Sequence, residues 1–212
     1  MNHAKFVLGS AAIIWVLYNF VYMHPFGGES APPVDITADP VQKELAEPEE
    51  VTIERHGQTY RVEKHHSYEV SGHVLMASSY SLFYTNEFFP VDLGLIWGDR
   101  VDHVLDNYDF NQGGRWLFWQ SRGPVPEKEM RYLKTHISNS HLLPAEGNWN
   151  VEKAIRWIDR GDHVRIKGKL ITIKHNSGKA LYRSSTTRDD KGGGACEVMW
   201  VEEVQIGDTV YR

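Results

Sequence analysis

Residues 161–206 read GDHVRIKGKLITIKHNSGKALYRSSTTRDDKGGGACEVMWVEEVQI and contain the clearest strand patterns in the chain. Between Asp162 and Lys174, apolar and charged side chains alternate, with one face formed by Val164, Ile166 and Leu170 and the other by Arg165, Lys167 and Lys169. This period of two is typical of a strand with one buried and one solvated face. The stretch therefore predicts a half-buried strand that belongs to a larger sheet.

A second strand is predicted from Cys196 to Ile206. One of its alternating faces carries Cys196, Val198, Trp200, Val204 and Ile206, and the other carries Glu197, Met199, Glu203 and Gln205. Because consecutive strands are usually adjacent, we expect these two strands to be neighbours in one sheet. Between them we expect a short strand at Lys179–Arg183 and a polar, glycine-rich loop at Ser184–Gly194.

The length and composition fit one substantial domain with appendages. The chain has 212 residues, of which 41% are hydrophobic and 12% aromatic, enough to bury a core. Cys196 is the single cysteine. An intramolecular disulfide framework and redox chemistry with two thiols of the same chain are therefore excluded.

An uncharged apolar stretch, FVLGSAAIIWVLYNFVYM, occupies residues 6–23. As a helix it spans roughly 27 Å, close to the hydrocarbon thickness of a bilayer. The following residues form a poor cleavage site, so residues 1–23 predict an uncleaved transmembrane anchor, with a cleaved signal peptide and a buried core helix as alternatives. Lys5 precedes the span and favours a cytoplasmic N-terminus. We therefore expect a single-pass protein of the inner (cytoplasmic) membrane, with its body periplasmic or otherwise extracytoplasmic.

Residues 24–50 contain five prolines and seven acidic residues against one base, Lys43. Prolines and like charges keep a chain extended, so this segment predicts a tether. The chain carries a net charge of −5, and the segment accounts for the acidic excess, which leaves residues 51–212 neutral. A neutral body makes nucleic acid an unlikely partner, since binding to phosphates depends on clustered positive charge.

Residues 51–212 predict a β-rich α+β domain with about eight strands and two helices. One helix is expected at Pro126–Lys134, where Pro126 occupies the first turn and Glu127 and Glu129 lie near the start. A second is expected at Asn150–Arg160, where Asn150 can cap a run of apolar residues three and four apart. A hairpin is expected where NQGG separates Tyr108–Phe110 from Arg115–Trp119. The architecture expected is a small antiparallel barrel or sandwich.

Short motifs carry two resemblances. The phrase GDHVRIKGKL resembles the Gly-Asp-x-Val-x-x-x-Gly strand openings of OB-type barrels, in which glycine permits the bend of a closing strand. Together with ISNSHLLPA and SSTTRDDKGGGACE, it also resembles a family of uncharacterised bacterial proteins. This second resemblance implies no activity.

Cys196 and His141 are the candidate catalytic pair, as nucleophile and base, with Asn139 or Glu197 orienting the imidazole. A second interpretation places Cys196 on the apolar face of its strand, where an unpaired cysteine is usually a small buried hydrophobe, and the sequence favours this interpretation. A hydrolase using the acids between Asp189 and Glu197 is a further alternative.

The loop at Ser184–Gly194 is the candidate binding surface because it combines hydroxyls, charges and unhindered backbone amides. Its candidate binding residues, with their neighbours, are Arg183, Arg188, Asp189 and Glu197. The structural alternative is that Arg188 pairs with nearby acids and only shapes the loop. The basic stripe of Arg165, Lys167 and Lys169 suggests a polyanion-binding barrel, although a solvated strand face is the simpler interpretation.

No metal site and no cofactor are expected. His65 and His66 are adjacent on a strand and point to opposite faces, and the pair His136 and His141 lacks a third ligand at a recognised spacing. The glycine triplet lacks the spacing of phosphate-binding loops.

The sequence thus favours a membrane-anchored, extracytoplasmic binding or assembly module that is not catalytic and that has a protein partner in the cell envelope. The hydrolase and the polyanion-binding barrel stay as alternatives.

Overall fold

The computed structural model of the chain describes residues 24–80, 88–187 and 196–212. These ranges contain eleven strands: β1 Glu29–Ser30, β2 Val41–Arg55, β3 Gln58–Ser79, β4 Val91–Ile96, β5 Tyr108–Gly113, β6 Trp116–Ser121, β7 Ile137–Pro144, β8 His163–His175, β9 Ala180–Arg183, β10 Glu197–Ile206 and β11 Thr209–Tyr211. They also contain three helices: α1 Val101–Asn107, α2 Glu127–His136 and α3 Trp149–Trp157. The prediction of a β-rich domain with helices is confirmed, and α1 is a helix that the sequence did not predict.

Five strands of the main sheet pair in a closed ring. β3 pairs with β4, β4 with β7, β7 with β10, β10 with β8, and β8 again with β3. The expected pairing of the strands in residues 161–206 is confirmed, since β8 and β10 are antiparallel neighbours. The prediction of a purely antiparallel sheet is wrong, because β7 and β10 are parallel. Alternation identifies a strand but carries no information on the direction of its neighbour.

The main core contains apolar side chains from all five strands of this ring and from α3. Helix α3 contributes Val151, Ala154 and Ile155, which lie at the spacing of one helical face. The side chain of Asn148 accepts a hydrogen bond from the backbone amide of Val151 at 3.1 Å and caps the helix. The cap thus lies two residues before the predicted Asn150, and the helix ends at Trp157 rather than Arg160.

The two faces of β10 are both buried. Val198 and Trp200 belong to a second core with residues of β2, β3 and β8, whereas Met199, Val201 and Val204 belong to the main core. The predicted division of faces, which grouped Val204 with Trp200, is therefore wrong. A register irregularity between Val201 and Glu203 is the cause, because an extra residue in a strand reverses the alternation beyond it.

Gly168 of β8 lies directly against the backbone of β10. A Cβ atom on Gly168 would lie 1.9 Å from the backbone oxygen of Trp200. Only glycine fits at this distance, so the glycine of the GDHVRIKGKL phrase is required by strand contact in this chain.

Parts of the predicted tether are paired with the body. Within residues 24–50, β1 pairs with β11, and the first half of β2 pairs with β3. Trp97 donates a hydrogen bond from Nε1 to Asp39 at 3.2 Å, and Gln205 donates one to the backbone oxygen of Pro32 at 2.7 Å. The segment is extended, as expected, but these parts of it are held on the body, since paired strands satisfy backbone groups that a free tether leaves to water. The domain boundaries at residues 23 and 50 stay predictions.

The predicted membrane span, residues 6–23, lies outside the described residues. Among the residues that the structure describes, none belongs to a helix with the length and apolar character that crossing a bilayer requires. Most of the predicted binding loop, residues 188–195, also lies outside them.

Candidate functional site

Three neighbouring strands bring together the polar residues of the site. Asp92 on β4 lies opposite His141 on β7, and His141 lies opposite Val198 on β10. Cys196 comes two residues before Val198, so both side chains leave the chain on the same face. The register of the sheet thus places the cysteine, the histidine and the aspartate side by side.

The imidazole of His141 connects the other two side chains. Its Nδ1 atom donates a hydrogen bond to Oδ1 of Asp92 at 2.8 Å, and the side chain of Cys196 lies close enough to the imidazole to raise its pKa. Asn139 donates a hydrogen bond from Nδ2 to the sulfur of Cys196 at 3.3 Å. Asp92 and His141 are buried, and Cys196 is half-buried. The thiol, the imidazole and the carboxylate lie side by side in space, with the imidazole between the other two groups.

Asp92 is fully buried and has further partners. Tyr80 donates its hydroxyl hydrogen to Oδ2 of Asp92 at 2.9 Å, and Nη1 of Arg115 lies 3.6 Å from Oδ1. Burial, together with the charge of Asp92 and this hydrogen bond, raises the pKa of Tyr80 to about 12. The phenol therefore stays protonated at physiological pH and remains a donor to the carboxylate.

His141 is a cation at neutral pH. Burial alone lowers the pKa of His141, but the hydrogen bonds and charges of Asp92 and Cys196 outweigh it and raise the pKa to about 9. His141 thus carries a proton next to Cys196 and is placed to act as a general acid.

Arg115 enters the site from the turn of the β5–β6 hairpin. Gly114 and Arg115 both have positive φ values, 56° and 71°, and Asn139 donates a hydrogen bond to the backbone oxygen of Arg115 at 2.7 Å. The guanidinium lies among three aromatic rings, with centroid distances of 5.5 Å to Tyr80, 4.9 Å to Phe89 and 5.7 Å to Tyr182. Positive φ values at both residues are typical of a two-residue β-hairpin turn, so the turn itself accounts for this backbone.

A pocket of about 300 Å³ opens beside the sulfur, and we call it the Cys196 pocket. Its walls include Arg115, Trp116, His141, Tyr182, Arg183 and Cys196. Ser185 fixes the rim by donating its backbone N–H to the backbone oxygen of Cys196 at 2.9 Å. The pocket therefore gives a small molecule access to the thiol.

The structure brings together some of the residues that the sequence singled out. Cys196 and His141 are in contact, and Arg183 lines the same pocket. Asn139 contacts the sulfur instead of orienting the imidazole, and Glu197 is buried without lining the pocket. Cys196 shares the face of Val198 and Trp200, but it is half-buried and its sulfur accepts a hydrogen bond from Asn139, a polar contact that the apolar interpretation did not include. Arg188 and Asp189 lie outside the described residues.

Sequence reasoning missed Asp92, Arg115 and Tyr80. The available signal was Asp92 itself, an acid inside the run Val91, Leu93 and Leu95, because a charged residue within a buried strand needs a partner. Nothing in the sequence indicated that the partner would be His141, which lies 49 positions away.

The basic stripe on β8 is compensated by acids on the neighbouring strands. Arg165 and Lys167 each lie within 4.0 Å of both Glu69 and Glu203. Lys169 lies 3.5 Å from Glu202. The stripe is therefore a set of cross-strand ion pairs and carries little uncompensated positive charge.

Three histidines outside the site, His65, His73 and His163, have contacts of their own. His65 hydrogen-bonds Thr172 at 2.9 Å, and the rings of His73 and His163 lie 5.4 Å apart. In the part of the chain that the structure describes, no three acidic, histidine or cysteine side chains are grouped as metal ligands would be.

Comparison of the chain with known protein families, with curated proteins and with solved structures finds no match.

Proposed function

We propose that Cys196, His141 and Asp92 form a thiol-dependent acyl-transfer site, with hydrolysis of an ester or amide as its simplest reaction. The single observation that carries this proposal is the contact of all three side chains at the wall of a pocket. The sequence favoured a non-catalytic module, and this geometry gives stronger support to the hydrolase alternative.

The roles follow from the contacts. The thiolate of Cys196 attacks the carbonyl carbon, and the C–S bond forms as the carbonyl π electrons move to oxygen. When these electrons return, the bond to the leaving group breaks, and the leaving atom takes the proton of His141. Water then attacks the thioester, His141 accepts a proton from it, and the electron pair of the C–S bond returns to sulfur. Asp92 holds the imidazole in orientation and compensates its charge.

The test is the reactivity of Cys196 in the full chain in detergent, where it is the only cysteine. Iodoacetamide at pH 6 should label the folded protein at least about tenfold faster than the urea-unfolded protein, because an ordinary thiol, with a pKa of about 8.5, is almost fully protonated there. His141→Gln should remove the difference. His136→Gln is the matched control, because this imidazole stacks on Tyr132 instead of lining the pocket.

A second readout follows the chemistry itself. Incubation with 4-nitrophenyl butyrate should produce a butyryl adduct on Cys196, detected by mass spectrometry, together with a burst of nitrophenolate. Slower alkylation in the folded than in the unfolded chain, with no butyryl adduct, would show that the thiol is not a nucleophile.

The barrel itself we assign to the OB type. The closed ring of five strands with non-sequential neighbours, β3-β4-β7-β10-β8, supports this assignment, as does the glycine-dependent closing contact of β8. The polyanion-binding function sometimes found on such barrels gains no support, because acids compensate the basic stripe.

We also propose that the chain is anchored in the cytoplasmic membrane with its body on the extracytoplasmic side. An exposed aromatic surface supports this location: Phe26, Trp149 and Trp157 have exposed fractions of 43%, 65% and 44%. The ring of His24 packs 4.2 Å from that of Trp157, so this surface begins at the first residue after the predicted span. Exposed Trp and Phe with a nearby lysine suit the interface between lipid and water. We also keep the proposal, made from the sequence, that the protein has a protein partner in the cell envelope.

A further inference from the structure

The Cys196 pocket has an excess of positive charge. Arg115 forms one wall and Arg183 another. Arg183 is exposed and makes no ion pair with any residue in the described ranges. Arg115 lies near one carboxylate, that of Asp92, which the protonated His141 shares. Arg115 and the protonated His141 thus share one buried anion.

The guanidinium of Arg115 has N–H groups that make no hydrogen bond within the described residues. Its Nη1 and Nη2 atoms are both buried, and neither makes a hydrogen bond in the described part of the protein. Asp92 does not supply the missing acceptor in this structure, since its Oδ1 lies 3.6 Å from Nη1, beyond hydrogen-bond distance. Leaving charged donors buried without acceptors is costly, and this cost favours a ligand that brings an acceptor.

The rest of the wall is apolar or aromatic. Trp116, Leu181, Tyr182 and Val198 line the pocket, and its volume of about 300 Å³ admits a ligand of modest size. A planar anion suits the two adjacent terminal nitrogens of an arginine, which bind a carboxylate in a bidentate manner.

We propose that the Cys196 pocket selects acyl substrates bearing a carboxylate, which Arg115 and Arg183 bind while the scissile carbonyl faces Cys196. This inference rests on the proposed function for the position of the carbonyl. The carboxylate-binding part depends only on the arginines and the pocket.

A binding test measures carboxylate recognition independently of the acyl-transfer reaction. The full-length Cys196→Ala chain in detergent is titrated with benzoylglycine, with its amide, which lacks the charge, and with phenyl phosphate. Benzoylglycine should bind at least about tenfold more tightly than the amide. Arg115→Met should remove this preference, and Arg183→Met should reduce it. Lys128→Met, at a helix position outside the pocket, is the control and should leave the preference unchanged.

Each outcome has a defined meaning. Equal binding of benzoylglycine and its amide, or tighter binding of phenyl phosphate, overturns the carboxylate assignment. If Arg115→Met does not fold, binding of the three ligands to Cys196→Ala and to its Arg183→Met derivative still decides whether the pocket prefers a carboxylate. Preserved carboxylate binding in a protein whose Cys196 shows neither fast alkylation by iodoacetamide nor a butyryl adduct would sustain the carboxylate-binding part and contradict the acyl-transfer function. A reactive Cys196 without a preference for carboxylates would sustain the acyl-transfer function and contradict the carboxylate-binding inference.

Discussion

Asp92 organises the polar network of the site through one carboxylate. It is fully buried and accepts hydrogen bonds from His141 and Tyr80, with Arg115 nearby. A buried ion of this kind is stable only when its lone pairs are used, and removing one partner leaves the others uncompensated. The charge state of His141 is therefore a property of the network and should be visible in the stability of the protein.

We expect the stabilisation contributed by His141 to disappear in alkaline solution. The pKa of His141 is about 9 in the folded protein, and that of an unfolded histidine is about 6.5. Because the folded state holds the proton more tightly, this stabilisation is fully present below about pH 6.5 and is lost as the pH rises through 9. Its size is at most about 3 kcal/mol. Urea denaturation of the wild type and of His141→Gln at pH 6 and pH 9.5 measures it.

The difference in stability between the two proteins should shrink by up to this amount at the higher pH. A pH-independent difference would contradict the prediction. NMR titration of the His141 imidazole provides the control: Asp92→Asn should lower its pKa, whereas Asp109→Asn, which removes an exposed ion pair with Arg122, should leave it unchanged.

Sequence reasoning reached half of this site. Cys196 and His141 stand out because few residue types act as nucleophile and base. Asp92 lies within an apolar strand, whose pattern does not indicate a polar site. Arg115 lies in a hairpin, where the turn residues predict the backbone conformation and not the contacts of the side chain. Their roles depend on which strands are neighbours and in which register, and a single sequence does not specify either.

At the scale of elements, β8 and β10 show what alternation predicts and where it fails. Both strands, their pairing and helix α3 follow from local periodicity, and helix α2 follows from the proline and glutamates at its start. The parallel pairing of β7 with β10 and the irregularity after Val201 do not, since both are consequences of closing the ring. Gly168 belongs to a motif visible in the sequence, and it also permits the close strand contact that closes the ring.

Gly168→Ala should destabilise the barrel strongly. The added methyl group would lie 1.9 Å from the backbone oxygen of Trp200, so one of the two strands would have to move. Overpacking usually costs about 1–3 kcal/mol, and a contact with backbone belongs at the upper end. Thermal unfolding measures the effect. Gly123→Ala is the matched control, because a Cβ there meets nothing within 4 Å and the backbone is not left-handed. Equal melting temperatures for the two variants would show that β8 and β10 separate without cost.

At the scale of the whole molecule, residues 24–26 connect the body to the predicted span. Phe26 and Asn150 exchange two hydrogen bonds, from the backbone N–H of Phe26 at 2.8 Å and to its backbone oxygen at 3.1 Å. The ammonium of Lys153 lies 3.9 Å from the centre of the Phe26 ring and 5.2 Å from that of Trp149. The chain thus enters the body across α3, so a span ending at residue 23 would hold this aromatic surface close to the lipid headgroups.

Cysteine labelling in cells tests the anchor, its orientation and this surface together. In a Cys196→Ser background, Trp149→Cys and Trp119→Cys each provide one thiol, and spheroplasts are treated with a membrane-impermeant maleimide. Trp149 is 65% exposed and Trp119 is 38% exposed, so without a membrane the first thiol should react faster. If the body lies outside the cytoplasm with α3 against the bilayer, Trp119→Cys should label quickly and Trp149→Cys slowly, and detergent should restore the order set by exposure. Labelling of both only after lysis would place the body in the cytoplasm, and faster labelling of Trp149→Cys in intact spheroplasts would show that the aromatic surface faces water.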